Sequence, residues 1–216
     1  KDRLPTFRGH NEQGMAHAAI AFAKQMNRRR MMAVTSSIGP GATNMVTAAA
    51  LAHVNRLPVL LLPGDVFADR RPDPVLQQVE DFSDGSVSAN DCFRPVSRYF
   101  DRITRPEQLL KALPKAMSVL TDAANCGPVC ISLCQDVQAE SYSFPADFFD
   151  DHIWDISRIR CDEHALSGAI KALSAARRPV IIAGGGVRYS GAHDVLKTLA
   201  ESAGIPVAMT QAGKSA

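Results

Sequence analysis

Residues 31–44 read MMAVTSSIGPGATN, and this stretch decides the fold. Its opening is a short apolar run bounded by turn residues, which is typical of a buried strand. Gly39 and Gly41 flank Pro40, so the backbone can turn sharply and approach a flat ligand without a Cβ in the way. An ordinary strand-to-helix turn is the alternative. From Thr43 onward the apolar spacing is helical, so the stretch predicts a strand, a turn and a helix.

Upstream of that strand, residues 7–13 read FRGHNEQ and lead into a helical pattern. Asn11 is the predicted N-cap of a helix that runs to about Asn27, which places Glu12 in the first turn. On position alone, the simpler interpretation of Glu12 is an acid that is favoured by the helix dipole. The face expected to be buried carries Met15, Ala18, Ala19, Phe22 and Met26.

Downstream, the same alternation of strands and helices continues. Residues 58–63 and 128–133 are continuous apolar runs, and residues 106–120 between them have helical spacing. Continuous runs favour a parallel sheet that is covered on both faces. Alternating strands and helices therefore predict an α/β fold with a doubly wound, mostly parallel sheet.

The composition changes at residues 141–160, where aromatic and acidic residues replace the periodic pattern. We therefore predict a first domain over 1–150, a linker over 151–160 and the start of a second, Rossmann-like α/β domain over 161–216. The glycines at 184–186 predict a turn after a strand. They do not form a dinucleotide-binding motif, because Tyr189 stands where the third glycine belongs.

Composition narrows the function classes. The 216 residues carry a formal net charge of +2, 46% hydrophobic and 21% charged residues, which is ordinary for a globular protein. The low net charge argues against a nucleic-acid surface, which would need clustered Lys and Arg. No apolar run in the sequence is long enough for a membrane span. Five cysteines, an odd number, indicate free thiols and a cytoplasmic location. Cys126, Cys130 and Cys134 recur at metal-like spacing, but a buried strand is the simpler interpretation.

The pairing of Glu12 with residues 39–44 resembles the pyrimidine-binding half of thiamine-diphosphate enzymes of the acetolactate-synthase type. In that family, a Glu in this context hydrogen-bonds N1′ of the aminopyrimidine, so that the exocyclic nitrogen can remove the C2 proton of the thiazolium. A carboxyl group is needed because it shares a proton with a ring nitrogen in a dry site, where desolvation raises its pKa. The resemblance implies that Glu12 is catalytic and binds the cofactor. It implies the same cofactor contact for Gly39, Pro40, Gly41 and Asn44.

A second stretch, residues 62–78, reads LPGDVFADRRPDPVLQQ. Acetolactate synthases carry Gly-Gln-Val at 64–66 and Phe-Gln-Glu near 76–78, and this chain departs from both. It is more similar to the trihydroxycyclohexanedione hydrolases of inositol breakdown, which add water to a cyclic 1,2-dione and open the ring at a C–C bond. The alignment implies that Gln77 lies near the cofactor.

The resemblance also implies a fragment, because the family's diphosphate-binding domain, which holds Mg²⁺ and the diphosphate, does not appear in these residues. The fragment itself is expected to be inactive. The intact enzyme would be a homodimer or larger homo-oligomer that acts on a small cyclic polyol-dione, with no nucleic-acid or membrane partner. Two alternatives stay open: an acetolactate synthase-like carboligase or decarboxylase, and a non-catalytic interaction domain with the same fold.

Three further side chains are weaker candidates. His10 lies two residues before Glu12 and is a possible proton carrier, or a structural histidine. Arg70 and Arg71 are candidates for orienting a hydroxylated substrate, although surface charge explains them more simply.

Overall fold

The computed structural model describes residues 4–69, 71, 75–79 and 81–214. The chain forms two compact units, Lys1–Ile156 and Ser157–Ala216. Among the described residues of the first unit, the helices are α1 (Glu12–Gln25), α2 (Pro40–Thr43), α3 (Val46–Asn55) and α4 (Leu109–Leu120). The strands are β1 (Ala33–Ser36), β2 (Val59–Asp65), β3 (Tyr99–Ile103) and β4 (Pro128–Cys134). Short 3₁₀ segments are Ala89–Val96, Pro106–Gln108, Val137–Ala139 and Ala146–Phe149.

The four strands form one parallel sheet in the order β1-β2-β4-β3. In its register, Thr35 lies opposite Leu62, and Leu61 lies opposite Cys130. The predicted α/β fold with a mostly parallel sheet is confirmed. Because all strands run the same way, their carboxyl ends meet at one edge, and the turn after β1 lies at that edge.

The two faces of the sheet are packed differently. Leu60 and Leu62 of β2 pack into an apolar cluster with α4, which buries Leu120. Successive side chains of a strand point to opposite faces, so the fully buried Leu61 faces the other way. Helices α1 and α3 pack against each other, and α1 also contacts β1 and β2.

The buried face of α1 differs from the predicted one. Its buried residues are Ala16, Ala19, Ile20 and Ala23, whereas Ala18 is exposed. The prediction followed the largest apolar side chains, Met15, Phe22 and Met26, which are only partly buried. Small side chains let a helix approach its neighbours closely, so alanines form the contact face here.

Among the described helices and strands of the first unit, one predicted helix is divided and one strand was not predicted. The helix predicted from Thr43 onward is interrupted: Thr43 is the last residue of α2, and α3 begins after Asn44 and Met45. Strand β3 was missed altogether, because it is an edge strand whose residues Asp101 and Arg102 break the apolar run. Charged residues are common on edge strands, since one side of the strand has no partner.

The second unit contains α5 (Glu163–Ala175), β5 (Ile181–Ala183), α6 (Gly185–Ser190), α7 (His193–Ala203) and β6 (Val207–Met209). Strands β5 and β6 pair in parallel. The turn predicted over 184–186 is wrong in part: Gly184 precedes α6, and the next two glycines begin it. Across the residues that the structure describes in both units, no helix has the length and apolar character needed to cross a membrane.

Candidate functional site

The start of α1 presents Glu12 at a fixed position. Asn11 has an extended backbone (φ −153°), and its side-chain Oδ1 accepts a hydrogen bond of 2.7 Å from the backbone N–H of Gly14. This is the N-cap arrangement, which satisfies one of the free N–H groups of the first turn. The predicted cap is confirmed, and Glu12 is the first residue of the helix.

Glu12 meets Asn44, which lies 32 positions further along the chain. The Nδ2 of Asn44 donates a hydrogen bond of 3.0 Å to Oε2 of Glu12. Asn44 directly follows α2, so the short helix after the glycine turn delivers this amide to the carboxylate. Two residues that the resemblance assigned to one site are therefore in direct contact.

The turn comes close to both Ser37 and Glu12 at residue 41, where an added Cβ would crowd its neighbours. A Cβ added to Gly41 would lie 2.5 Å from Oγ of Ser37 and 3.3 Å from Oε1 of Glu12. Pro40 opens α2 and is exposed, as are Ser37 and Asn44. The turn and the carboxylate therefore border the same exposed surface.

Gly39 meets Gln77, the remaining residue predicted for the site. Gly39 is buried with φ +70° and ψ −124°, and a Cβ added to it would overlap the backbone carbonyl oxygen of Gln77. The side chain of Gln77 is exposed, and its own φ is +64°. Gln77 is thus brought to the site by its backbone, not by its amide side chain.

Gln78 is a polar residue that sequence reasoning passed over. Its side-chain Nε2 is buried and has no hydrogen-bond partner among the described residues. An amide N–H in that state is costly unless something else accepts from it. Nothing in the sequence distinguished Gln78 from Gln77, because the two glutamines are adjacent and only the fold separates their roles.

The electrostatics of Glu12 differ from those of a dry site. The hydrogen bond from Asn44 is the main cause that holds the pKa of Glu12 below its usual value, and a backbone hydrogen bond adds to it. Desolvation acts in the opposite direction but is weaker, because Glu12 is partly exposed. The raised pKa that the resemblance implies therefore requires that this surface be covered.

We expect the carboxyl of Glu12 to titrate below the ordinary range of a glutamate, with the midpoint rising in the Asn44→Ala variant. Since the folded pKa lies below the unfolded one, the contact stabilises the fold above the unfolded pKa and is lost as the pH falls through the folded pKa. Carboxyl-resolved NMR titration measures both midpoints. Glu107, whose pKa is lowered mainly by a backbone hydrogen bond, with Arg105 contributing, is the internal control and should not move. An unchanged Glu12 midpoint would contradict the assigned cause.

The weaker candidates are exposed wherever the structure describes them. His10 is exposed. Arg71 is exposed and forms an ion pair with Asp69, while Arg70 lies outside the described residues. Burial raises the pKa of the Cys126 and Cys130 thiols, so they behave as small apolar side chains. Within the described ranges, no group of three His, Cys, Asp or Glu side chains could hold a metal ion.

Comparison with known proteins relates this geometry to a family. Residues 1–84 match the family model described as thiamine pyrophosphate enzyme, N-terminal TPP binding domain. Residues 166–216 match the model described as thiamine pyrophosphate enzyme, central domain. Glu12 and the turn at 39–44 lie within the first match.

Individual relatives align with nearly all residues of this chain. The protein named 3D-(3,5/4)-trihydroxycyclohexane-1,2-dione hydrolase from Clostridium tetani is 55% identical over 213 residues, which is 99% of this chain. The protein of that name from Geobacillus thermodenitrificans is 55% identical over 211 residues, or 98% of the chain. Each alignment covers 33% of the relative, so the chain spans about a third of the length of the curated relatives it matches.

Proposed function

The chain belongs to the thiamine pyrophosphate enzymes, and on this premise we propose that its first unit supplies the acid side of a thiamine diphosphate site. The observation that carries the proposal is the contact of 3.0 Å between Asn44 and Glu12 beside the glycine turn. We assign the catalytic role to Glu12. Cofactor contact is assigned to Glu12, Gly39, Pro40, Gly41, Asn44 and Gln77.

The residues present fit the pyrimidine end of this cofactor. The turn is bare of side chains at Gly41, where a Cβ would fill the space beside Glu12. A flat heteroaromatic ring needs such a surface, together with a carboxyl group that can share a proton with a ring nitrogen. When bound, thiamine diphosphate supplies a carbon nucleophile and an electron sink for reactions at ketones.

The chain's own residues then have separate tasks. Glu12 holds a proton against the pyrimidine nitrogen, and Asn44 fixes the orientation of the carboxylate through its bond to Oε2. The open side of Glu12 is where a cover can exclude water. Desolvation on covering raises the pKa of the carboxyl toward that of a group which gives and takes a proton near neutral pH.

For the whole protein, we infer hydrolysis of a C–C bond in a small cyclic polyol-dione. The relatives named as such hydrolases are 54% or 55% identical over nearly all of this chain, which supports the inference. We assign Mg²⁺ and the diphosphate contacts to residues beyond these 216, in a cytoplasmic homo-oligomer without nucleic-acid or membrane partners. Residues 1–150 are then a partial pyrimidine-binding domain, 151–160 a linker and 161–216 the first half of the central domain.

A substrate comparison tests this function. The full-length protein is incubated with thiamine diphosphate and Mg²⁺, with the cyclic dione in one reaction and pyruvate in another, and the products are followed by NMR. We expect the ring-opened acid, with kcat/KM at least about a hundredfold above that for acetolactate formation. Preference for pyruvate would favour a carboligase, and turnover of neither substrate would favour a non-catalytic interaction domain.

A further inference from the structure

Asp65, the last residue of β2, is completely buried and fully hydrogen-bonded. Its Oδ1 accepts from Oγ of Ser88 at 2.5 Å and from the backbone N–H of Val66 at 2.8 Å. Its Oδ2 accepts from Oγ of Ser132 at 2.6 Å and from Nε of Arg102 at 2.7 Å. Each oxygen of this carboxylate accepts two hydrogen bonds from the protein, so no acceptor site is left for a ligand.

Arg102 extends this arrangement to a second acid. Its Nη2 donates to Oδ1 of Asp91 and to Oγ of Ser88, each at 3.0 Å. Burial acts to lower the pKa of Arg102, but the hydrogen bonds and charges of the two carboxylates outweigh it and raise that pKa. The guanidinium is therefore charged and donates hydrogen bonds to both carboxylates. We call Asp65, Ser88, Asp91, Arg102 and Ser132 the Asp65 cluster.

The Asp65 cluster joins the two ends of one loop. The loop spans residues 66–87, of which 66–69, 71, 75–79 and 81–87 are described. It begins directly after Asp65 and ends directly before Ser88, the two residues whose side chains meet at 2.5 Å. The contact between Asp65 and Ser88 therefore holds the two ends of a long loop together, and long loops in compact domains are often functional.

A second carboxylate holds the first residues of the loop. The two oxygens of Asp136 accept hydrogen bonds from the backbone N–H groups of Ala68 and Asp69, at 2.9 and 3.0 Å. These contacts fix the direction in which the chain leaves the sheet. They involve neither Asp65 nor Ser88, so they do not join the two ends of the loop.

The loop and its base touch the glycine turn on two sides. The Gln77 carbonyl lies against Gly39, as described above. At the base, Nδ2 of Asn90 donates to the carbonyl of Gly64 at 2.7 Å, and a Cβ on Gly64 would lie 3.2 Å from the backbone nitrogen of Ile38. The turn is thus enclosed between the end of β2 and the loop.

We propose that Asp65, Ser88 and Arg102 are positioning residues, which close the base of the 66–87 loop and so hold the glycine turn in the conformation that receives the ligand. The identity of that ligand rests on the proposed function. Asp65 stands where acetolactate synthases carry glutamine, and here it acts through the loop, without touching a substrate. In either orientation, the NH₂ group of a neutral amide here would face a group that only donates, Nε of Arg102 or the backbone N–H of Val66, so it cannot close the same base.

Amide hydrogen exchange of the full-length protein without cofactor tests the loop directly. In the Asp65→Asn variant, exchange of residues 66–69, 75–79, 37–39 and 41 is expected to accelerate at least tenfold, while that of α4 is unchanged. Leu120→Ala is the matched control, because it weakens the same unit from the opposite face of the sheet. Exchange rates of the two variants are compared under conditions of equal global stability. The proposal is overturned if loop exchange accelerates equally in both variants or in neither.

Variants of Ser88 keep the test decisive if Asp65→Asn does not fold. Ser88→Ala removes one hydroxyl and is expected to accelerate loop exchange and to raise the KM for thiamine diphosphate at least threefold, with kcat changed less. Ser88→Thr retains the hydroxyl and is expected to restore both. Failure of Ser88→Thr to restore them overturns the proposal. Hydrogen exchange is measured without cofactor, so it tests the loop independently of the proposed function. If loop exchange accelerates in the variants but the full-length protein does not use thiamine diphosphate, only the proposed function is refuted.

Discussion

The Glu12→Gln variant of the full-length protein is expected to lose at least about a hundredfold in turnover, since proton transfer by a positioned side chain contributes about 10²–10⁴-fold. Glutamine keeps the shape of the side chain, and its carbonyl oxygen can still accept from Asn44. It cannot share a proton with a ring nitrogen. The measurement is kcat at saturating cofactor and substrate, with circular dichroism to show that the fold is intact.

Glu163→Gln is the matched control for the alternative role of Glu12 as a helix-terminal acid. Glu163 is the first residue of α5 and follows an N-cap, Asp162, just as Glu12 follows Asn11. An interaction with the helix dipole is worth about 0.3–1 kcal/mol at an exposed position. If Glu12 served only the dipole, both variants would keep full turnover, and that result would exclude the catalytic role.

The sequence was most informative where local chemistry determines structure. An Asn before an apolar-periodic run predicted the start of α1, and two glycines around Pro40 predicted a tight turn. Both features depend on a few adjacent residues, so no knowledge of the rest of the fold is needed. The contact between Asn44 and Glu12 followed from the resemblance, because the family motif had already placed both residues at one site.

The features that escaped prediction depend on residues far apart in the chain. Asp65 was noted only as a departure from a family pattern, whereas its role arises from Ser88, Arg102 and Ser132, which lie on three other segments. The part played by Gln77 was also unexpected, since the sequence identifies side chains and this contact is made by a backbone carbonyl. Pairings of this kind become visible only once the strand order is known.

Replacement of Gly39 by alanine is expected to lower both the stability of the fold and the affinity for the cofactor. Its φ of +70° with ψ of −124° lies in a region that residues with a Cβ rarely adopt, at a cost of about 1–3 kcal/mol. In Gly39→Ala, the new Cβ also overlaps the Gln77 carbonyl, which is backbone and cannot rotate away. We expect a loss of at least about 2 kcal/mol in the free energy of unfolding, measured with denaturant, and at least tenfold weaker binding of thiamine diphosphate by the full-length protein.

A second alanine variant distinguishes this effect from the general consequence of replacing a glycine. Gly168 lies inside α5 with no atom within 4 Å of an added Cβ, so Gly168→Ala should stabilise that helix by about 0.5–1 kcal/mol. Opposite signs at the two positions follow from the backbone conformation of Gly39 and its contact with Gln77. Equal, small changes would mean that the loop yields to the new methyl group. The turn would then not be held between the loop and the sheet, and binding of thiamine diphosphate would be unaffected.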